Sequence, residues 1–326
     1  MPQSQKARVR VAVVMDPIDS IKPAKDSTLA MMLAAQKRGW ELLYLEQRDM
    51  WLTDGQPWAR VRPIQVRDDL NNWATLGAIS IEKLGDMDAI LMRKDPPFDM
   101  EYIYTTYILD RAQDTGALVV NRPQGLRDMN EKVFTAWFPQ CCAPTLITRD
   151  MGDMHAFLHQ HKHIVCKPLY GMGGKSIFVI AEGDKNANVI FENMTEYGTH
   201  FAIVQKYVPD IVTTGDSRVL VIDGEPVPYA LARIPSANDN RGNLAAGAKG
   251  VGRPLTDHDR WLVNEIGPTL RERGMLFVGL DVIGDFVTEI NVTSPTGIRE
   301  LDKQFHIDIG SMLMDAIAKR LGKRDV

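Results

Sequence analysis

Two alternating runs on either side of Gly284-Asp285, "FVGLDVI" and "FVTEINV", constrain this chain more than any other stretch. Successive side chains of a strand point to opposite faces, so Val278, Leu280 and Val282 share one face, and Ile290 and Val292 share one after the turn. Pairing those apolar faces sets Leu280 opposite Ile290 and Asp281 opposite Glu289, with Asn291 on the face of the two acids. A two-residue turn at Gly284-Asp285 breaks that register, so the hairpin requires an odd-numbered connection or a bulge. Acid opposite acid costs stability. Two carboxylates and an amide oxygen together form a hard-oxygen set suited to Mg²⁺ bridging phosphates. The competing reading is a solvated polar face without metal.

The stretch "KPLYGMGGKSIF" ends its glycine cluster in Gly-Lys-Ser, as a Walker A loop does. That pattern needs a glycine where Leu169 stands and a helix after the Ser, whereas "IFVIAEG" is β-branched and aromatic. The stretch therefore reads as strand, glycine loop, strand. Glycine backbone can approach a ligand closely and offer its N–H groups to phosphate, and Lys167 ends the first strand. A hairpin that needs glycine only for its turn is the plainer alternative. Two further segments matter. "PYALARIPSANDNRGNLAAGAKG" runs from a strand ending at Arg233 into a Gly/Ala/Asn/Ser-rich stretch of the kind that forms a mobile lid, with Arg241 inside it. "VQKYVP" can present backbone groups to an adenine edge, or be a plain edge strand.

Around these segments the first third alternates. "RVRVAVVMD" is a strand, and "DSTLAMMLAAQKRG" is a helix capped by Asp26 or Ser27 and closed by Gly39. "ELLYLE" and "AILMRKD" are strands; a helix near 101–115 leads to the strand "LVVN". This pattern predicts a parallel, doubly wound first domain with its boundary near "NRPQGLRD", where Pro and Gly interrupt the pattern. A short helix in "MNEKVFTAWF" follows. The strands "RVLVIDG" and "PVPYALARI", the hairpin above and the closing helix "IGSMLMDAIAKRLGK" fit an α+β partner.

Composition narrows the function. A net charge of -4 and a pI near 6.0 give no electrostatic footprint for nucleic acid or an anionic membrane. No apolar run reaches the ~20 residues of a membrane span, and no signal-peptide cleavage site follows the basic start. Cys141, Cys142 and Cys166 offer neither a disulfide framework nor a zinc site, which predicts a reducing cytoplasm. In "HAFLHQHKH", His155 and His159 could share a helix face, but no third zinc ligand stands at suitable spacing.

Taken together, "LMRKDPPFD", "NEKVFTAWF", "KPLYGMGGKSIF", "RGNLAAGAKG", "FVGLDVIGD" and "VTEINVTSPTGIRE" resemble the ATP-grasp superfamily, and within it the bacterial glutathione synthetases. The resemblance spans nearly the whole chain. It implies a mixed α/β and α+β fold: an N-terminal doubly wound, Rossmann-like pre-ATP-grasp domain over 1–126, then a two-part ATP-grasp fold. The latter would have a central lid subdomain over 127–203 and a catalytic subdomain over 204–326, with a mobile loop at about 234–249.

The resemblance also implies roles. Lys132 and Lys167 look like the lysines on ATP phosphates, under a loop of Gly171, Gly173 and Gly174. Gln205, Tyr207 and Val208 match an adenine-binding hinge, and Asp216 a position near the nucleotide. Asp281, Glu289 and Asn291 match ligands for Mg²⁺, or Mn²⁺ in its place. Arg93, Arg218, Arg233 and Arg241 look like the substrate pocket, the last three with catalytic roles. Lys249 and Lys175 depart from the family pattern without touching these positions. The implied reaction joins γ-glutamylcysteine and glycine through an acyl phosphate, with ATP cleaved to ADP and phosphate, in a homotetramer. Another dipeptide-type carboxylate–amine ligase on the same fold is the alternative; a nucleotide-binding protein without activity would lose the acid/acid/amide set, which is intact.

Overall fold

The computed structural model describes residues 8–171, 176–235 and 248–322. Its first sheet contains β1 (Arg10–Val14), β2 (Glu41–Leu45), β3 (Met50–Thr53), β4 (Gln56–Val66), β5 (Ala74–Leu76), β6 (Ser80–Lys83), β7 (Ala89–Met92) and β8 (Leu118–Val120). The main path runs β3-β4-β2-β1-β7-β8, and β2-β1-β7-β8 is parallel. β1 and β7 are near-continuous apolar runs because helices cover both faces. Ala12, Val14, Leu43 and Leu45 pack with Tyr102 and Leu109 of α2 (Met100–Asp114), while Val11, Val13, Leu42 and Tyr44 pack with Leu29 and Met31 of α1 (Ser27–Lys37). The doubly wound core is as expected. Asp26 caps α1, accepting from Leu29 N at 2.5 Å, and Gly39 follows the helix at φ +76°.

Three local details add to that reading. Residues 50–83, given no element from sequence, form an antiparallel extension on β4. At "NRPQGLRD", where the first domain is expected to end, Pro123 opens the helix α3 (Pro123–Asp128), where a missing N–H costs nothing. The short helix expected in the next segment is 3₁₀, over Val133–Trp137.

The second sheet has the order β11-β10-β12-β9, with β9 (Thr145–Thr148), β10 (His163–Pro168), β11 (Phe178–Ala181) and β12 (Ala202–Lys206). α4 (Met151–His161) and α5 (Ala187–Thr195) pack on it through Met154, Leu158 and Phe191. β10 and β11 pair antiparallel, Cys166 against Phe178, so the glycine stretch does join two strands. β12 lies between β10 and β9, not at an edge. His155 meets the Phe191 ring, His161 the Phe157 ring, and His159 pairs with Glu182 on the surface, so these histidines do not converge.

The third sheet, order β15-β14-β13-β16-β17, is antiparallel throughout: β13 (Asp216–Ile222), β14 (Glu225–Ile234), β15 (Lys249–Pro254), β16 (Phe277–Ile283) and β17 (Phe286–Asn291). Between β14 and β15, paired at Ile234 and Lys249, lies the expected lid; its residues 236–247 fall outside the described residues. α6 (Asp257–Glu272) covers one face through Leu262, Val263 and Ile266; α7 (Ile298–Phe305) and α8 (Ile309–Arg320) join the cluster that holds α1. Asn121, just past β8, fastens the first sheet to the third. Its Nδ2 donates to the carbonyls of Phe277 and Val292, both at 2.7 Å, and its Oδ1 accepts from Phe277 N at 2.9 Å. Without that amide, buried backbone groups would go unpaired at about 1–3 kcal/mol each.

Candidate active site

The hairpin register is as the sequence requires. Leu280 faces Ile290, Asp281 faces Glu289 and Gly279 faces Asn291; beyond Asp281 the register shifts by one, so that Ile283 faces Phe286 across a two-residue turn. Thr288 is the extra residue of that bulge, and its hydroxyl donates to Asp281 O at 3.2 Å. The row continues into β13, where Arg218 faces Asp281, and into β14, where Arg233 faces Asp216. Asp216, Arg218, Arg233, Asp281, Glu289 and Asn291 therefore share one sheet face.

On that face the charges interlock. Arg218 donates to both oxygens of Asp281, Nε to Oδ1 at 2.5 Å and Nη2 to Oδ2 at 3.2 Å. Arg233 Nη2 reaches Asp281 Oδ2 at 2.8 Å and Asp216 Oδ2 at 2.5 Å. Burial works against the Asp281 charge, but the two guanidiniums outweigh it and hold its carboxyl well below the usual range. Asp216 goes the other way: burial, with Asp281 adding repulsion, pushes it up to about 6 despite Arg233. Gly279 makes the crossing possible, because a Cβ there would lie 2.7 Å from Arg218 Cδ.

A second segment closes on this face. The backbone carbonyl of Glu131 accepts from Ile290 N at 2.8 Å, between Glu289 and Asn291. Lys132 Nζ contacts the Glu131 carboxylate, lies 3.8 Å from Glu289 Oε1 and donates to Gly171 O at 3.2 Å. Burial alone would lower the Lys132 ammonium, but Glu289 and Glu131 outweigh it and raise its pKa. Asn130 Nδ2 donates to Leu169 O at 3.2 Å, so the loop after β10 rests on residues 130–132. Lys167, four residues before Gly171, is 7% exposed, and its ammonium has no hydrogen bond or ion pair among the described residues. A buried ammonium without a counter-charge is costly unless a ligand supplies one.

The remaining expected residues are more dispersed. Gln205 is buried in β12 and donates to Thr145 Oγ1 at 3.1 Å. Tyr207 N donates to His163 O at 3.0 Å, which commits that amide to the protein, and Val208 O accepts from Ile211 N. Arg93 is buried between the first and third sheets, donating to Thr28 Oγ1 at 3.2 Å and Pro295 O at 3.0 Å; in this position it holds the loop after β17. Gly173, Gly174 and Arg241 lie outside the described residues. Glu131 and Asn130 were not singled out from sequence, although they flank Lys132 in "NEK".

The oxygen set fits a divalent ion that is also held by phosphate. Among the described residues no three His, Cys, Asp or Glu side chains converge tightly enough to hold a metal alone. Mg²⁺ is usually bound by one or two carboxylates plus substrate phosphates and water. Among the described residues Asn291 Nδ2 and Asp216 Oδ1 are buried without partners, as expected of a polar site that a ligand completes.

Comparison with known proteins shows the family. Residues 9–127 match the family model described as prokaryotic glutathione synthetase, N-terminal domain, and residues 131–306 match prokaryotic glutathione synthetase, ATP-grasp domain. The chain is 55% identical over 316 residues to the glutathione synthetase of Pseudomonas putida, covering 97% of this chain and 99% of that protein. It is 54% identical over 313 residues to the glutathione synthetase of Escherichia coli O6:H1, covering 96% and 99%. Among solved structures, a D-cycloserine synthetase aligns over 96% of this chain and 99% of its own with a TM-score of 0.69 at 13% identity. The ATP-grasp ligase PsnB with its minimal precursor aligns over 96% and 100%, with a TM-score of 0.64 at 16% identity. These two likenesses establish the fold alone.

Proposed function

The chain belongs to the prokaryotic glutathione synthetase family, and from that premise we propose how its residues carry out the reaction. It is an ATP-dependent ligase of ATP-grasp fold that makes glutathione from γ-L-glutamyl-L-cysteine and glycine. The observation that carries the residue assignments is the row Arg218–Asp281–Glu289, with the buried Lys167 on the strand that leads to the loop lying against Lys132.

In this reading the nucleotide lies between the second and third sheets. Lys132 and Lys167 meet its phosphates, Gly171, Gly173 and Gly174 cover them, and Gln205, Tyr207 and Val208 flank the adenine. Asp216 lies near the nucleotide. Glu289, Asn291 and Asp281 would hold Mg²⁺, or Mn²⁺, which would supply positive charge to the transferring phosphoryl group. Arg218, Arg233 and Arg241 bind the dipeptide carboxylate and the acyl phosphate it becomes, since a planar guanidinium suits both; Arg93 orders the loop of Ser294 and Pro295 beneath them. The cysteine carboxylate takes the γ-phosphoryl group and ADP leaves. Glycine's amine then attacks the activated carbonyl, and phosphate leaves as the amide forms. Acyl phosphates hydrolyse, so the segment at about 234–249 serves to exclude water until glycine reacts. Residues 1–126, 127–203 and 204–326 act as substrate-binding, lid and catalytic parts.

Purified chain should release ADP at full rate only with dipeptide, glycine and ATP all present, one glutathione forming per ADP. ADP release indifferent to the dipeptide, or faster turnover of an unrelated dipeptide pair, would contradict this reading. We also propose a cytoplasmic homotetramer: the three cysteines are free thiols, and Met100, Tyr104 and Tyr107 are half-exposed along one side of α2. A sedimentation pattern of monomer alone would refute the assembly.

A further inference from the structure

Lys132 is held by Glu131, a residue that has no part in the roles above. We propose that Glu131 is a positioning residue that keeps the Lys132 ammonium in the nucleotide site once Glu289 commits its charge to the metal. The inference rests on the reading that Lys132 meets ATP phosphates.

Two carboxylates share the ammonium. Glu131 is in direct contact, and Glu289 Oε1 stands 3.8 Å away. Glu289 is also the carboxylate of the row that faces the proposed metal, and a divalent cation is a stronger competitor for it than a lysine. When Glu289 turns to the cation, Lys132 keeps Gly171 O and Glu131 as partners. A carbonyl alone would leave a buried ammonium poorly compensated beside a dication, and repulsion would drive the side chain away from the phosphates. Glu131 prevents this because its backbone cannot drift. Its carbonyl is fixed by Ile290 N, and Asn130 Oδ1 accepts from Lys132 N and Val133 N, each at 3.0 Å, locking the turn on either side of it. Asn130 Nδ2 ties the same turn to Leu169 of the loop that carries Gly171. One tripeptide thus sets the lysine, the metal strand and the phosphate loop relative to one another.

The test is equilibrium binding of a non-hydrolysable ATP analogue with Mg²⁺ to the full chain, in a cycle of Glu131→Gln, Lys132→Met and the double variant. Glu131→Gln should weaken the analogue about tenfold and raise the KM for ATP by a similar factor, with a smaller change in kcat and no change in the KM for dipeptide. Glu131→Asp should recover most of the loss. Adding Glu131→Gln to Lys132→Met should have no further effect, because Glu131 acts through the lysine. If Lys132→Met leaves analogue affinity unchanged, the reading of Lys132 itself fails. If Lys132→Met weakens binding and Glu131→Gln does not, the positioning role alone is overturned. A further loss in the double variant, or a raised Mg²⁺ requirement with unchanged nucleotide affinity, would also overturn it by making Glu131 a ligand in its own right.

Discussion

Asp281→Asn should be the most damaging single change in this chain, losing about 3–5 kcal/mol of stability and nearly all activity. Asp281 is 2% exposed and neutralises Arg218 and Arg233, themselves only 7% and 5% exposed. An amide keeps the shape but withdraws the charge and turns an N–H₂ toward guanidinium donors. Two buried cations are then left with Asp216 alone. The loss should appear in chemical denaturation as a lower midpoint at unchanged slope. Replacing Arg218 with Met in the same chain should restore part of it, since charge and counter-charge then leave together. A single variant as stable as the parent would show that the network does not hold the sheet face.

Lys167→Met is the converse case. Its ammonium is buried and makes no hydrogen bond or ion pair among the described residues, so its removal should take no such contact from the fold. Methionine of similar length should leave the melting temperature unchanged or higher. Activity should fall, with kcat/KM lower by about 10²–10³, the usual effect of removing one preorganised charge from a transition state. Gain of stability with loss of activity is what a residue kept for a ligand should show. Turnover within about twofold of the parent would remove Lys167 from the phosphate site.

The metal hairpin was legible in sequence because alternation has a period of two and one face must be apolar, which leaves a single register for Asp281 and Glu289. The turn length even demanded the bulge that Thr288 provides. What sequence could not supply was the neighbouring strand. From sequence Asp281 shows only its place beside Glu289; that it also pairs with Arg218 and Arg233 depends on β13 and β14, and that pairing follows from the sheet order rather than any local pattern. Gly279 carried a signal of this kind, a strand glycine that permits close approach, visible only once Arg218 crosses it. Glu131 was hidden for a similar reason, since its contact with β17 joins residues far apart in the chain. The antiparallel extension at residues 50–83 was missed because β4 holds Pro57 and Pro63 and alternates with arginines, so its pattern resembles a loop's.

The most direct measurement of the account is isotope transfer. With ¹⁸O in the cysteine carboxylate of γ-glutamylcysteine, one labelled oxygen should pass to inorganic phosphate for each glutathione formed, because that oxygen attacks the γ-phosphorus and leaves with it. Phosphate free of label, or AMP and pyrophosphate in place of ADP and phosphate, would contradict the acyl-phosphate chemistry assigned to this sheet face.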